Sequence, residues 1–161
     1  MLFKTVWSKG CLVFFAAAFF VAVGMASTGR TNSGQFVGTE ACAECHDVEY
    51  ENFKKFSKKA HSGDSVKVMA GDLSTEELEE CYTCHMTGFG SPGGFVNFDE
   101  TPDMADAGCE VCHGAGYDHV ESGGDSDLIK GDLEISDCET CHNPERVAAF
   151  DFKPLMYGGA H

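Results

Sequence analysis

Four short motifs in this chain of 161 residues combine two cysteines with a histidine at one fixed spacing. The cysteines are Cys42, Cys45, Cys81, Cys84, Cys109, Cys112, Cys138 and Cys141, and the histidines are His46, His85, His113 and His142. Cys-x-x-Cys-His is the attachment signature of c-type haem. The two thiols form thioethers with the porphyrin, and the adjacent imidazole binds the iron. The pattern therefore predicts four covalently attached haems, numbered I to IV in chain order.

Zinc is the alternative ligand, because paired Cys-x-x-Cys motifs also build tetrahedral zinc sites. A zinc site gives no reason for a histidine to follow all four pairs, whereas a haem iron needs an axial ligand at that position. The motifs therefore favour haem over zinc.

The N-terminus has the layout of a secretory signal. Lys4 and Lys9 precede an apolar run over 11–25, and small residues follow it. The run is short for a membrane span. We expect a signal peptide over 1–26 and a periplasmic or extracellular protein. The alternative is an uncleaved anchor, the only case in which membrane association is expected.

The cysteine count agrees with this division of the chain. The ninth cysteine, Cys11, lies in the expected signal segment, so the other eight all belong to the four motifs. No thiol is left over for a disulfide or a nucleophile.

The formal net charge is −15, and loss of Lys4 and Lys9 with the signal would make it more negative. This charge argues against nucleic acid as a partner and favours redox proteins. It does not indicate the oligomeric state. The only cationic cluster consists of Lys54, Lys55, Lys58 and Lys59. It is either a solvated helix face paired with nearby acids or a docking patch for an acidic redox partner.

The predicted fold is mainly α with extensive loops, in one small multihaem domain over 39–161 whose core is built around the four haems. A flexible leader is expected over 27–38, where Ser, Thr and Gly dominate. A domain of this size has a radius of gyration of about 14 Å, so four porphyrins inside it must lie nearly edge to edge. Such packing permits rapid electron transfer between them.

Local patterns predict the helices that carry the motifs. One helix is expected from an N-cap at Thr39 to Ala60. Capping boxes beginning at Ser74 and Ser136, and a proline start at Thr101-Pro102, are expected before motifs II, IV and III. Residues 86–99 read as a loop with a short strand at 95–98.

Three histidines outside the motifs, His61, His119 and His161, remain for four distal positions. If the first helix reached Ala60, His61 would lie about 22 Å along its axis from His46, too far to bind the same iron. His119 follows His113 too closely to circle one porphyrin, so it too is expected to serve another haem. His161 follows Gly158-Gly159 and can return to haem IV. Three methionines, Met69, Met104 and Met156, are candidate thioether ligands, although core packing is their commoner role.

Three stretches resemble the tetrahaem c-type cytochromes of the cytochrome c-554 family, typified by the carrier that accepts electrons from hydroxylamine oxidoreductase in nitrifying bacteria. They are the segment from Phe36 through motif I to His61, the segment Cys81–Phe95, and Ala107–Val120 with its Cys109-Glu-Val-Cys112-His113-Gly-Ala-Gly-Tyr-Asp-His119 sequence. The resemblance implies that His61 pairs with His113, His119 with His46, and His161 with His142. It leaves His85 without a distal side chain.

The resemblance favours an exported relay of single electrons through mostly bis-histidine, low-potential haems. One alternative is a reductase or oxidoreductase acting on a small nitrogen oxide or peroxide at an open iron on His85. A further alternative is a subunit of an extracellular cytochrome polymer. No acid/base constellation favours the enzyme.

Overall fold

Residues 32–144 are described by the computed structural model of the chain. They form seven short α-helices: α1 Thr39–Cys42, α2 Asp47–Phe56, α3 Ser62–Met69, α4 Thr75–His85, α5 Cys109–His113, α6 Tyr117–Glu121 and α7 Ile135–Glu139. Four 3₁₀ turns complete the regular structure, at Lys58–His61, Ala70–Asp72, Pro102–Met104 and Ser126–Leu128. Long loops connect them, and no strand occurs within 32–144. The mainly α fold is confirmed, while the strand expected at 95–98 is wrong.

The predicted signal peptide over 1–26, Cys11, Met156 and His161 all lie outside the described residues. Within 32–144, no helix is both long and apolar enough to cross a membrane.

The hydrophobic core of the described residues is small. It consists of Val66, Met86, Phe95, Met104 and Ala105, with Phe36, Leu78, Tyr82, Phe89 and Phe98 packed around it. In contrast, Val48 and Phe56 on α2 expose 61% and 58% of their surface. A core this limited fits a protein whose porphyrins supply much of its buried apolar surface.

The helix expected from Thr39 to Ala60 is broken into three pieces, so that prediction is wrong. The first break follows Cys42, where the chain turns through the motif and α2 begins anew with Asp47 in its first turn. The second break is at Ser57, which is extended and whose hydroxyl accepts from the backbone N–H of Lys59 at 3.3 Å. A serine that caps the next turn competes with continuation of the helix.

The predicted caps have mixed outcomes. Ser74 and Glu77 form the expected capping box at α4, and Thr101 precedes a turn that begins with Pro102. Thr39 is not an N-cap, because its hydroxyl instead accepts from the backbone N–H of Cys109 at 3.3 Å. The capping box before motif IV is formed by Glu134 and Asp137, so the prediction at Ser136 is wrong.

The segment just before α1 is bound to three distant parts of the fold. The N–H of Phe36 donates to the carbonyl of Pro92 at 2.9 Å, and the carbonyl of Gln35 accepts from the N–H of Tyr117 at 3.2 Å. The amides of Val37 and Gly38 donate to the side chain of Glu110. These bonds connect the start of motif I to the surroundings of motif III.

Candidate haem-binding site

Each motif is built on one helical turn. Motif II lies in α4 and motif III in α5, whereas motif I begins at Cys42, the last residue of α1, and motif IV begins in α7. The N–H of His46 donates to the carbonyl of Cys42 at 2.9 Å, and that of His142 to Cys138 at 2.8 Å. A bond from the fifth residue to the first places the histidine on the same helical face as the first cysteine. This is the local geometry that thioether attachment and iron ligation require.

No disulfide joins any of the eight motif cysteines in the described structure. No three side chains from Cys, His, Asp or Glu converge on one point within 32–144, as a tetrahedral zinc site would require. The cysteines are thus available in pairs for thioether formation.

Motifs I and III lie side by side. The thiols of Cys42 and Cys109 are in hydrogen-bonding contact, which raises the pKa of Cys42 and lowers that of Cys109 to about 7. Thr39 and the backbone also stabilise the Cys109 thiolate. The first attachment points of haems I and III are therefore neighbours.

Motifs III and IV are also close. Burial raises the pKa of Cys112, and Cys138 is near enough to add to that rise. The Lys59 ammonium acts in the opposite direction on both thiols, and after burial it also lowers the pKa of His142. Lys59 thus lies within electrostatic reach of two attachment motifs. A lowered pKa favours the neutral imidazole, the form that binds a metal.

One predicted distal histidine faces a proximal one. The ring centroids of His46 and His119 are 6.3 Å apart, with an angle of 22° between the ring planes. These residues come from motif I and α6, on opposite sides of motif III in the chain. The structure therefore brings together two histidines that the resemblance pairs at haem I.

The other ring nitrogen of two histidines is bound to a backbone carbonyl. The Nδ1 of His113 lies 2.7 Å from the carbonyl oxygen of Lys130, and the Nδ1 of His119 lies 2.8 Å from that of Asp125. Since a carbonyl only accepts, Nδ1 must carry a proton, and in the neutral form of each ring the lone pair is then on Nε2. Metal-binding histidines usually show this arrangement. It could not be predicted from the sequence, because the accepting residues are loop carbonyls.

Two further histidines differ from this pattern. His61 is exposed, and its Nε2 lies 3.2 Å from the carbonyl oxygen of Lys54. The Nδ1 of His85 is buried without a hydrogen-bond partner. An unpartnered buried ring nitrogen is costly in a protein that lacks a ligand there. His85 is thus a half-buried histidine with one unpartnered ring nitrogen.

The segment after His61 is joined to the segment before motif III. The Ser62 hydroxyl donates to the carbonyl of His85 at 2.7 Å and accepts from the N–H of Ala107 at 2.8 Å. The N–H of Gly63 donates to the Asp106 carboxylate at 2.9 Å.

His61 is separated from His46 by α2, although the single long helix expected between them is broken. Its ring contacts the carbonyl oxygen of Lys54, and Lys54 lies about 12 Å along the axis of α2 from His46.

Motif II is held in place by aromatic side chains that pack against a tyrosine inside it. Tyr82, between the two cysteines of that motif, lies edge-on to Phe89 and Phe95, with ring centroids at 5.3 and 5.0 Å. Met86 and Met104 are buried in the same core, whereas Met69 exposes 53% of its surface. The core-packing role expected for Met104 is therefore the one observed.

The repeated helical turns, the paired thiols and the histidine geometry define a multihaem c-type cytochrome. The motif residues fit a haem on structural grounds: His46 and His119 are spaced to bind one metal, and the Nδ1 atom of His85 is buried without a hydrogen-bond partner.

Comparison with known proteins agrees with this class. The family model described as "Cytochrome c554 and c-prime" matches residues 41–114, which contain motifs I to III. Cytochrome c-554 of Nitrosomonas europaea is 29% identical over 103 residues, covering 55% of this chain and 43% of that protein. The chain thus spans less than half the length of this relative.

The fold is similar to that of a solved structure, cytochrome c554 from Nitrosomonas europaea in its reduced state. The TM-score is 0.56 at 23% identity, over 78% of this chain and 83% of that one. Together the three findings confirm the resemblance to the cytochrome c-554 family. The chain carries covalent c-type haems, and its four motifs provide for four of them.

Proposed function

We propose that the chain is an exported tetrahaem cytochrome that relays single electrons between redox proteins through closely packed, mostly bis-histidine, low-potential haems. The observation that carries this proposal is the separation of 6.3 Å between the rings of His46 and His119. A metal–imidazole bond of about 2 Å and a ring radius of roughly 1.1 Å place the two centroids about 6 Å apart on either side of one metal. The spacing supports both imidazoles as axial ligands of haem I.

When bound, the haem irons supply one-electron chemistry between the ferric and ferrous states. The protein residues hold the porphyrins close to one another. Contact between Cys42 and Cys109 supports adjacent haems I and III, and the electrostatic influence of Cys138 on Cys112 supports adjacent haems III and IV. Adjacent attachment points favour fast electron exchange within the protein. Imidazole pairs lack the methionine ligand that raises the potential, so low potentials follow.

The ligand set proposed for the other haems is His61 with His113, and His161 with His142. Support for His61 comes from Ser62 and Gly63, which hydrogen-bond to the segment directly before Cys109. Lys59, two residues before His61, lies within electrostatic reach of Cys112. The His61 ring must turn from the Lys54 carbonyl to present Nε2 to an iron. Haem II, on His85, is proposed to lack a distal side chain.

The entry or exit point for electrons is proposed at the lysine face, defined as Lys54, Lys55, Lys58 and Lys59. These four lysines form no ion pair with any described carboxylate, so the expectation that nearby acids pair with them has no support within 32–144. A positive face on a chain of net charge −15 favours an acidic redox partner. Lys59 brings that face next to motifs III and IV.

Rapid-mixing kinetics with the purified holoprotein test the relay. Reduced protein mixed with an oxidised single-haem cytochrome should transfer its electrons within milliseconds to seconds, and all four haems should reoxidise. Reduction of four haems with no transfer to any protein acceptor, combined with steady turnover of nitric oxide or hydroxylamine, would refute the relay in favour of an enzyme.

One observation favours the second candidate, a reaction at haem II. The Nδ1 of His85 has no hydrogen-bond partner, unlike the Nδ1 atoms of His113 and His119. An iron ligand without that bond is a weaker donor, as suits a site that exchanges its sixth ligand. EPR of the oxidised holoprotein, repeated after nitric oxide, decides whether such a site exists. A high-spin signal that responds supports it, and four unresponsive low-spin centres exclude it.

A further inference from the structure

Glu110 is a buried carboxylate inside motif III. It lies between Cys109 and Cys112, and only 2% of its surface is exposed. Three backbone amides donate to it: Val37 at 3.0 Å, Gly38 at 2.7 Å and Gly116 at 2.7 Å. A second bond from Val37, at 3.2 Å, reaches the other carboxylate oxygen. Hydrogen bonds from N–H groups to an ionised carboxylate are among the strongest in proteins, and they offset the cost of its burial.

The three amides belong to both elements that meet at haem I. Val37 and Gly38 lead directly into α1 and motif I, and Gly116 is the N-cap residue of α6, which carries His119. One side chain of motif III therefore anchors the start of motif I and the start of the helix that presents His119. The 6.3 Å spacing of His46 and His119 depends on how those two elements are held relative to each other.

Haem attachment itself does not require a buried glutamate at this position. Motif IV has Glu139 at the same place, directly after its first cysteine, and that side chain is exposed. Burial of Glu110 is thus specific to motif III. Glu110 also lies within electrostatic reach of Cys42 and Cys109, because its charge acts to raise the pKa of each thiol against the other influences at Cys109.

We propose that Glu110 is a positioning residue that sets the His46–His119 axial pair of haem I and places a fixed negative charge beside haems I and III. This inference rests on the proposed ligation of haem I. A buried negative charge stabilises ferric over ferrous iron, so it lowers the potentials of the two nearest haems. The single side chain of Glu110 therefore affects both the axial ligation of haem I and the reduction potentials of haems I and III.

Glu110→Gln tests both parts, with Glu139→Gln as the matched control. The glutamine removes the charge and turns an NH₂ group towards amide donors, while its size is retained. We expect the purified tetrahaem holoprotein to show a loss of the low-spin EPR signal of haem I, replaced by a high-spin signal. We also expect an upward shift in the potentials of two haems in a spectroelectrochemical titration. The Glu139→Gln variant should match the wild type in both measurements.

A Glu110→Gln variant with wild-type spin state at haem I would overturn the proposal. If that variant fails to mature, Gly116→Ala decides, because its added methyl carbon would lie 3.1 Å from Glu110 Oε1. Gly131→Ala, which meets nothing within 4 Å, is its control. Loss of the low-spin signal only in Gly116→Ala supports the proposal, and its retention overturns it. These measurements need no partner, so a failure of the relay itself remains distinguishable.

Discussion

The thiols of Cys42 and Cys109 are in hydrogen-bonding contact, although they belong to the first and third attachment motifs. The hydroxyl of Thr39, three residues before Cys42, accepts from the backbone N–H of Cys109 and fixes the two motifs at a second point. The first and third motifs are therefore neighbours in space, although the second motif lies between them in the chain.

The crossed ligand pattern predicts which haem each distal histidine serves. Replacement of His119 by alanine should convert haem I alone to a high-spin, carbon monoxide-binding centre, because its ring faces His46 at 6.3 Å. His61→Ala should do the same at haem III only. EPR with selective assignment of the four haems checks both. A His119→Ala variant that alters haem III instead of haem I would contradict the assignment.

Ser62→Ala is expected to destabilise the protein. The hydroxyl bridges the carbonyl of His85 and the N–H of Ala107, and Ala107 is buried. Removing it leaves an amide donor without a partner, at a cost of about 1–3 kcal/mol in the free energy of unfolding. Guanidinium unfolding of the holoprotein measures the difference. Ser65→Ala, an exposed position on the same helix, is the control and should have little effect.

Gly63 allows α3 to approach the loop before motif III. A Cβ at this position would lie inside contact distance of the carbonyl oxygen of Ala105, whereas a Cβ at Gly71 meets nothing within 4 Å. Gly63→Ala should therefore cost about 1–3 kcal/mol through overpacking. It should also weaken ligation by His61, two residues earlier, which is visible as partial high-spin haem III. Equal free energies of unfolding for Gly63→Ala and Gly71→Ala would contradict this prediction, because the loop would then move to accommodate the methyl group with no loss of stability.

The haem motifs, the helical class and the cap at Ser74 could all be predicted, because each depends on residues close together in the chain. The single helix to Ala60 was wrong, since Ser57 caps a new turn instead of continuing the old one. Glu110 gave no sequence signal, because its three donors are backbone amides and the equivalent Glu139 is exposed. The pattern of side chains in a sequence does not predict contacts made by the backbone, so this part of the site could not be predicted.

Charge reversal on the lysine face should slow electron exchange with an acidic partner. Lys55→Glu and Lys58→Glu together are expected to lower the association rate constant about tenfold or more at low ionic strength, because steering by opposite charges is lost. Stopped-flow measurements over a range of salt concentrations check this. Lys67→Glu is the charge-matched control for each single reversal, since Lys67 is not one of the four lysines of that face and lies over the ring of Phe98. Equal slowing by this control would point to net charge instead of a docking face.

The ion pair between Lys130 and Asp137 predicts a defined pH dependence at motifs III and IV. Hydrogen bonds from Lys130 and from the N–H of Glu134 lower the pKa of Asp137 below 3.8, and Asp137 raises the pKa of Lys130 above 10.5. The carboxylate's contribution is present above pH 3.8 and is lost as the pH falls through its folded pKa. The lysine's contribution is present below pH 10.5 and is lost as the pH rises above that value.

Asp137→Asn should therefore lower the thermal midpoint of the holoprotein between these limits and match the wild type at strongly acidic pH. The substitution should also alter the environment of the haem III ligand His113, because the carbonyl of Lys130 accepts from His113 Nδ1 at 2.7 Å. A shift in the low-spin EPR signal of haem III at neutral pH, absent in the exposed Asp132→Asn control, would show this. A stability difference that persisted below the folded pKa of Asp137 would mean that the asparagine disturbs α7 in another way, since the contacts of the carboxylate with Lys130 and with the N–H of Glu134 both weaken when it is protonated.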